Sequence, residues 1–205
     1  MGNAQSIKAF WDWFQKNHHQ YLFVNQVDAQ EKDRLLGEFV RQLHRHHEHL
    51  FPLIGGHPDA KKTELIISAE GIKEYFPAVE ELIAAAPGME DWEFIAFKPP
   101  MGTGFSIQYG GKDFDPEKII FIPLRNDQYP GSVGIHICYP DYQDTERNIF
   151  MGGTYLILDT ILGERSTTLD IDYLDVVKTP PDVTKYGYRQ LSKLREYIDQ
   201  KKNRK

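Results

Sequence analysis

The sequence predicts an α+β protein whose mixed, largely antiparallel sheet contains two strand-helix-strand units. In the first unit, residues 64–100, an apolar run at 65–67 leads through an amphipathic helical stretch to a second apolar run at 92–97. In the second unit, residues 133–177, an alternating strand pattern leads through a long helical stretch to another strand pattern. If the strands of each unit share a sheet, both crossovers are right-handed, and the helices lie mainly on one face.

Two helices are predicted before the first unit. Ile7, Phe10, Trp11 and Phe14 recur at helical spacing and predict a helix over 6–17. A second helix is predicted over 29–50. Its expected N-cap is Asp28, with Glu31 at the spacing of a capping box. These two elements form an N-terminal helix pair.

The remaining elements follow from periodicity and from turn residues. Pro77 is expected in the first turn of its helix, where a missing amide costs little. The long helix is expected to be capped by Asp144 and ended by Gly163, and its interior Gly152-Gly153 pair implies a kink or the close approach of another backbone. The predicted strands are 51–54, 65–67, 92–97, 105–109, 119–123, 133–139 and 167–177, and the predicted helices are 75–86, 145–162 and 192–201.

Length and composition favour one domain over residues 1–205. The N-terminal helices occupy 1–50, the sheet core 51–178, and an extension with a short helix 179–205. A net charge of −6 argues against a nucleic-acid partner, which requires a basic face. The single cysteine excludes an intramolecular disulfide, no apolar run is long enough to span a membrane, and no secretory signal is present, so we expect a cytoplasmic protein.

Four histidines provide one candidate site. On a helix, His44 faces His47 and His46 faces His49, and imidazoles at that spacing can hold zinc if His57 or a carboxylate completes the site. The alternative is that His47 continues the apolar stripe as a packing residue and the others are solvated. The sequence lacks the HExxH order of residues that is typical of a zinc-protease helix.

Asp170 and Asp172 provide a second candidate site. On a strand they share one face, where two carboxylates can bind a divalent cation or act as acid and base. The alternative is the solvated face of a half-exposed strand. His136 and Cys138 also share a strand face, but about 6.6 Å separates their Cα atoms at the usual rise, so a structural cysteine is the ordinary interpretation.

Aromatic residues are numerous near the N-terminus and, with Tyr129, Tyr139 and Tyr142, around the end of the sheet. Surplus aromatic residues in such places favour a protein-binding surface, for which Trp13, Tyr139 and Tyr142 are the candidates. The alternative is that they pack over the rim of the sheet.

The phrases FWDWFQKN, ELIISAEG, AAP with DWEFIAFKPP, and LDTILGE resemble a family of uncharacterised bacterial proteins over most of residues 8–177. The resemblance implies a bacterial, cytosolic, stand-alone protein and carries no catalytic residue. The leading hypothesis is therefore a non-catalytic, cofactor-free protein-binding or regulatory domain, similar in role to an immunity protein or an adaptor. The alternatives are a metal-dependent hydrolase using His44 and His47 or Asp170 and Asp172, and a small-ligand sensor with a pocket between the sheet and the N-terminal helices.

Overall fold

The computed structural model describes residues 3–56, 61–184 and 187–202, so His57 lies outside the described residues. The protein has the predicted α+β fold with an N-terminal helix pair. Its contacts group residues 1–98 and residues 99–205 into two compact units. The organisation of 1–205 as one domain stays a prediction, and the two units are described in turn.

The 1–98 unit contains a three-stranded sheet in the order β1-β2-β3. Strands β1 and β2 are antiparallel, whereas β2 and β3 are parallel and are joined by the crossover helix α3, as the sequence predicts. The elements are α1 (Asn3–Asn17), α2 (Ala29–His44), β1 (Phe51–Gly55), β2 (Thr63–Ser68), α3 (Phe76–Ala84) and β3 (Trp92–Ala96).

A cluster of aromatic rings joins the N-terminal helices to this sheet. Phe14 of α1 is fully buried and meets Phe39 of α2 at 5.9 Å and Trp92 of β3 at 4.9 Å between ring centroids. Trp11 packs edge-on against Phe94 at 4.7 Å, and its Nε1 donates to the Leu82 carbonyl of α3 at 2.9 Å. The rings fill the space between the sheet and the helices, because edge-to-face pairs pack closely.

The boundaries of α2 confirm one prediction and correct another. The Asp28 carboxylate accepts from the Glu31 amide at 2.9 Å, so Asp28 is the N-cap. The Glu31 carboxylate pairs with Arg34 at 2.6 Å. The helix ends at His44 rather than at residue 50, because no apolar residue between Leu43 and Leu50 gives a further turn a buried face, and Leu50 is buried from an irregular segment.

The 99–205 unit contains a hairpin, β4-β5, and a four-stranded sheet in the order β8-β7-β6-β9. Strand β7 is antiparallel to β6 and parallel to β8, and helices α4 and α5 form the crossover. The elements are β4 (Ile107–Tyr109), β5 (Lys112–Phe114), β6 (Ile120–Leu124), β7 (Gly134–Tyr139), α4 (Arg147–Leu162), α5 (Glu164–Asp170), β8 (Tyr173–Lys178), β9 (Arg189–Gln190) and α6 (Leu194–Lys202).

The glycine pair of α4 receives two aromatic side chains of the β4-β5 hairpin. A Cβ atom on Gly153 would lie 2.0 Å from Cζ of the buried Phe114, and one on Gly152 would lie 2.7 Å from the ring of Tyr109. The nearest atoms are therefore aromatic side chains, not the other backbone that the sequence suggested. Because glycine has no Cβ, the Tyr109 and Phe114 rings of the hairpin can pack directly on the backbone of α4. This packing offsets the low helix propensity of the two glycines.

Two predictions in this unit are wrong. Asp144 does not cap α4, since it lies in a short 3₁₀ turn and α4 begins at Arg147 after Glu146. The strand predicted over 167–177 is a helix followed by a strand. Gly163, with φ of +80°, ends α4 and starts α5, in which the buried Glu164 and Thr167 lie three residues apart, the spacing of a helix rather than of a strand.

Candidate functional site

The ring of His47 lies 6.5 Å from that of His46 and 5.8 Å from that of His49 between centroids, but the four histidines do not form a metal site. His44 Nε2 is 3.1 Å from the Leu50 carbonyl, and His46 Nδ1 is 2.9 Å from the Ser6 hydroxyl. His47 and His49 both lie against the ring of Tyr75, with centroid distances of 5.0 and 4.5 Å. The predicted shared helix faces are absent because α2 ends at His44. Among the described residues, no group of three or more His, Cys, Asp or Glu side chains is arranged to hold a metal ion.

His46 is half-buried. Its Nδ1 lies 2.9 Å from the Ser6 hydroxyl and so joins the segment after α2 to α1. Burial lowers the pKa of His46, and the Ala78 carbonyl of α3 and the carboxylate of Glu81 oppose that shift. The arrangement favours the neutral imidazole and a packing role.

Asp170 and Asp172 do not share a strand face, which corrects the prediction. Asp170 ends α5, and its carboxylate lies 2.8 Å from Lys202 Nζ and 2.5 Å from the Ser166 hydroxyl. Burial acts to raise the pKa of Asp170, but Lys202 and Ser166 hold it below its usual range. Arg195 of α6 also donates to the Ser166 hydroxyl at 3.1 Å. Asp170 therefore fastens α6 to α5.

Two of the predicted binding-surface residues are buried, which corrects that interpretation. Tyr139 is 4 % exposed, and its hydroxyl is 2.6 Å from the Thr154 hydroxyl of α4. Tyr142 is 9 % exposed and packs on Phe150 at 5.3 Å between ring centroids. Both belong to the buried core of this unit, so the packing alternative applies to them.

Trp13 and Cys138 are also packing residues. Trp13 is half-buried, with its ring 5.6 Å from that of Phe39 and 5.9 Å from that of Tyr21. Cys138 is 1 % exposed, and burial raises the pKa of its thiol to about 11. A thiol with so high a pKa is a poor nucleophile at neutral pH.

An open groove of about 950 Å³ lies at the end of the four-stranded sheet where β6 runs into β7. Its walls are the connection between these strands and the start of β8. The lining residues are Leu124, Arg125, Asn126, Asp127, Gln128, Tyr129, Pro130, Gly131, Ser132, Gly134, Asp172 and Tyr173.

Local hydrogen bonds define the wall formed by the β6–β7 connection. The side-chain oxygen of Asn126 accepts from the amides of Gln128 and Tyr129, both at 3.0 Å. The Tyr129 carbonyl then accepts from the amide and the hydroxyl of Ser132 at 2.9 and 2.8 Å. Lys201 of α6 donates to the Pro130 carbonyl at 2.8 Å. Asn and Ser build such turns because their side chains bond to nearby backbone groups.

Asp172 joins this wall to β8. Its carboxylate accepts from the Val133 amide at 2.7 Å, while its own amide donates to the Val133 carbonyl at 2.8 Å. Tyr173 follows directly and pairs in register with Gly134 of β7, which has no side chain to cover the ring. The ring of His136 lies 5.9 Å from that of Tyr173.

The groove presents two tyrosine rings to solvent. Tyr129 is 67 % exposed and Tyr173 is 51 % exposed, both far above the buried Tyr139 and Tyr142. Tyrosine supplies a large contact area at a small cost in side-chain entropy, together with a polar hydroxyl, and is enriched in protein interfaces. The groove therefore has the chemistry of a binding surface.

Sequence reasoning expected Tyr139 and Tyr142 at the surface because it did not separate strand from turn. Tyr129 lies between Asn126-Asp127 and Pro130-Gly131, and these residues mark a turn. A turn, unlike a strand, has no buried face, so its side chains are exposed. Tyr139 ends a strand on the parity of Ile135 and Ile137, which is its buried side. By these two rules Tyr129 is predicted to be exposed and Tyr139 to be buried.

Comparisons of the chain with protein-family models, with curated proteins and with solved structures find no match. Across residues 3–56, 61–184 and 187–202, no helix combines the length and the apolar character needed to cross a membrane.

Proposed function

We propose that this protein is a non-catalytic binding protein that recognises another protein through the groove at the β6–β7 end of its four-stranded sheet. The observation that carries the proposal is the pair of exposed tyrosines, Tyr129 and Tyr173, in a groove whose wall is fixed by side-chain hydrogen bonds. A preordered wall lowers the entropy lost on binding, and aromatic anchors contribute most of the affinity of typical interfaces.

The surroundings of the polar candidates support a binding role over a catalytic one. Asp170 is held by Lys202, the Cys138 thiol is buried with a raised pKa, and His46 bonds to Ser6. The contact of Asp170 holds α6 to α5, and that of His46 holds α1 to the end of α2. Both side chains therefore have structural roles. The protein would then act by occupying a partner, as an immunity-type or adaptor protein does.

Affinity capture with matched variants tests the proposal. The full chain, a Tyr129→Ala/Tyr173→Ala variant and a Tyr155→Ala control are immobilised and exposed to lysate of the source cells. Tyr155 is 50 % exposed on α4 and is not part of the groove lining. Each recovered protein is then purified, and its affinity for the three forms is measured by calorimetry.

We expect at least one purified partner to bind the full chain and the control equally. Loss of two central tyrosine anchors should weaken its binding by about 100-fold or more. If every recovered protein binds the groove variant as tightly as the full chain, the proposal is wrong. Stoichiometric zinc in untagged protein, lost in a His44→Ala/His47→Ala variant, would instead favour the metal-dependent hydrolase.

A further inference from the structure

The groove wall formed by the β6–β7 connection is long for a link between antiparallel strands. Strand β6 ends at Leu124 and β7 begins at Gly134, so residues 125–133 form the connection. Such links usually have about 2–5 residues, and every further residue adds backbone freedom that must be ordered. The hydrogen bonds that Asn126 and Ser132 make with the Tyr129 backbone lie within the wall. They shape its turns, but they do not tie it to another element.

The end of α6 supplies a contact from outside the wall. Lys201 Nζ donates to the Pro130 carbonyl at 2.8 Å, directly after Tyr129 in the chain. An ammonium group makes a stronger hydrogen bond to a carbonyl than a neutral donor does. Lys201 is not among the described residues that line the groove. It therefore holds the wall beside Tyr129 without forming part of the binding surface.

The packing of α6 on β6 sets the position of Lys201. Leu194, Tyr197, Ile198 and Lys201 recur at helical spacing along one side of α6, and the first three are buried. The ring of Tyr197 lies 5.7 Å from that of Phe121 on β6, and Lys201 Nζ lies 5.9 Å from the centroid of the Tyr197 ring. Because β6 leads directly into the wall, α6 links the wall back to the strand from which it starts.

We infer that Lys201 is a positioning residue of the groove, which keeps the wall that carries Tyr129 ordered before a partner binds. This inference rests on the proposed function and adds to it a residue outside the groove lining. A wall that is ordered in the free protein loses less conformational entropy on binding. Lys201 therefore raises the affinity for a partner through the Pro130 carbonyl, without contacting the partner.

The neighbouring lysine provides a matched control for the test. Lys202 Nζ lies 2.8 Å from the Asp170 carboxylate of α5 instead of contacting the wall. Lys201→Met and Lys202→Met each remove one positive charge from the same turn of α6 and keep an unbranched apolar side chain. Lys201→Arg keeps a cationic donor. Amide exchange of the full chain and the three variants is measured by NMR without a partner, and the affinity for the captured partner is measured by calorimetry.

We expect Lys201→Met to speed exchange of the Tyr129 and Ser132 amides by about fivefold, because their hydrogen bonds open more often in a loosened wall. The same variant should weaken binding of the partner by about fivefold. Lys202→Met should leave both quantities within about twofold of the full chain, although it removes an ion pair of α6. Lys201→Arg should restore part of both losses.

Three results would overturn the inference. The first is unchanged exchange of the wall amides in Lys201→Met, and the second is an equal change in Lys202→Met. The third is faster exchange without any loss of affinity for a partner whose binding requires Tyr129 and Tyr173, which would leave the proposed function in place. Failure of the proposed function is recognised separately, by tight partner binding to the Tyr129→Ala/Tyr173→Ala variant. The exchange measurement uses the free chain, so it judges the ordering of the wall even when no partner is recovered.

Discussion

The strand-helix-strand unit at β1-β2-α3-β3 and the one at β6-β7-α4-β8 have the same chain order and the same strand directions. In each, an antiparallel pair is followed by a helix and by a third strand parallel to the second. The two units differ in what covers them. The first packs Trp92 and Phe94 of its third strand on Phe14 and Trp11, whereas the second leaves Tyr129 and Tyr173 exposed at one end.

This difference is the basis for assigning a packing role to the rings of the first unit and for proposing a binding role for those of the second. The 1–98 unit also has concave regions, of about 450 and 400 Å³. One is bounded by Lys61 and Lys62, next to residues outside the described ranges, and the other is lined by the buried Ile7 and Trp11. Neither has two exposed tyrosines in its described lining. The space between sheet and N-terminal helices is filled by rings, which does not favour the small-ligand sensor.

The largest expected effect concerns the aromatic cluster of the first unit. Phe14→Ala removes a fully buried ring that contacts α2 and β3, and we expect it to lower the free energy of unfolding by about 4 kcal/mol. Urea denaturation measures this loss. The control Phe23→Ala removes a ring that is 60 % exposed and should cost less than about 0.5 kcal/mol. Equal effects of the two variants would contradict the packing role.

The glycine pair of the second unit gives the next effect. Gly153→Ala forces Phe114 out of its site, because the new Cβ would lie 2.0 Å from the ring. We expect a loss of about 2 kcal/mol by urea denaturation, since overpacking outweighs the gain in helix propensity. Gly152→Ala should cost clearly less, because Tyr109 is 40 % exposed and can move outward. A stabilising Gly153→Ala would show that the hairpin does not need the glycine.

A smaller effect is expected where Asp170 holds the C-terminal helix. Asp170→Asn should lower the free energy of unfolding by about 1 kcal/mol, because its partner Lys202 is half exposed and solvent screens the pair. In the unmodified chain the carboxylate stabilises the fold above its unfolded pKa, and this stabilisation is lost as pH falls through its lowered folded pKa. When the free energy of unfolding from urea denaturation is plotted against pH, the variant should lose less stability toward acid than the unmodified chain. An equal loss in both would contradict the ion pair.

The smallest expected effect is the pH dependence of His46. Its folded pKa is lowered, so the unfolded chain binds a proton first as pH falls through about 6.5, and stability declines from there to the lowered pKa. His46→Gln removes this part of the pH dependence, and thermal unfolding between these pH values measures it. His49→Gln is the control, since its ring stacks on Tyr75 and is exposed. If both variants keep the slope, His46 is not its source.

The sequence predicted both strand-helix-strand units, the central strand β2, the Asp28 cap and the Pro77 position, because each depends on local periodicity or on one backbone group. It failed where tertiary contacts decide the outcome. Alternating apolar residues around Asp170 suggested a strand, but Gly163 and the buried Thr167 make a helix. The partners of Gly152 and Gly153 come from a hairpin about 40 residues earlier, which no local pattern reveals.

The sequence did not predict which aromatic residues at the end of the sheet are exposed. Aromatic residues at the end of the sheet were expected to bind a partner, and the structure provides exposed rings there, at Tyr129 and Tyr173. Exposure depends on which side of a strand or turn a residue occupies, and a shift of one position reverses it. Tyr139 and Tyr142 were expected at the surface because they lie around the end of the sheet, but they pack on Phe150.

Hydrogen exchange of the full chain, with and without a partner obtained by the capture experiment, tests the central claim most directly. We predict slower amide exchange on binding in residues 124–134 and 172–173, and unchanged exchange in α1 and α2 of the first unit. Protection confined to α1 and α2, with none at the β6–β7 end, would show that the aromatic helices form the binding surface and would contradict the account.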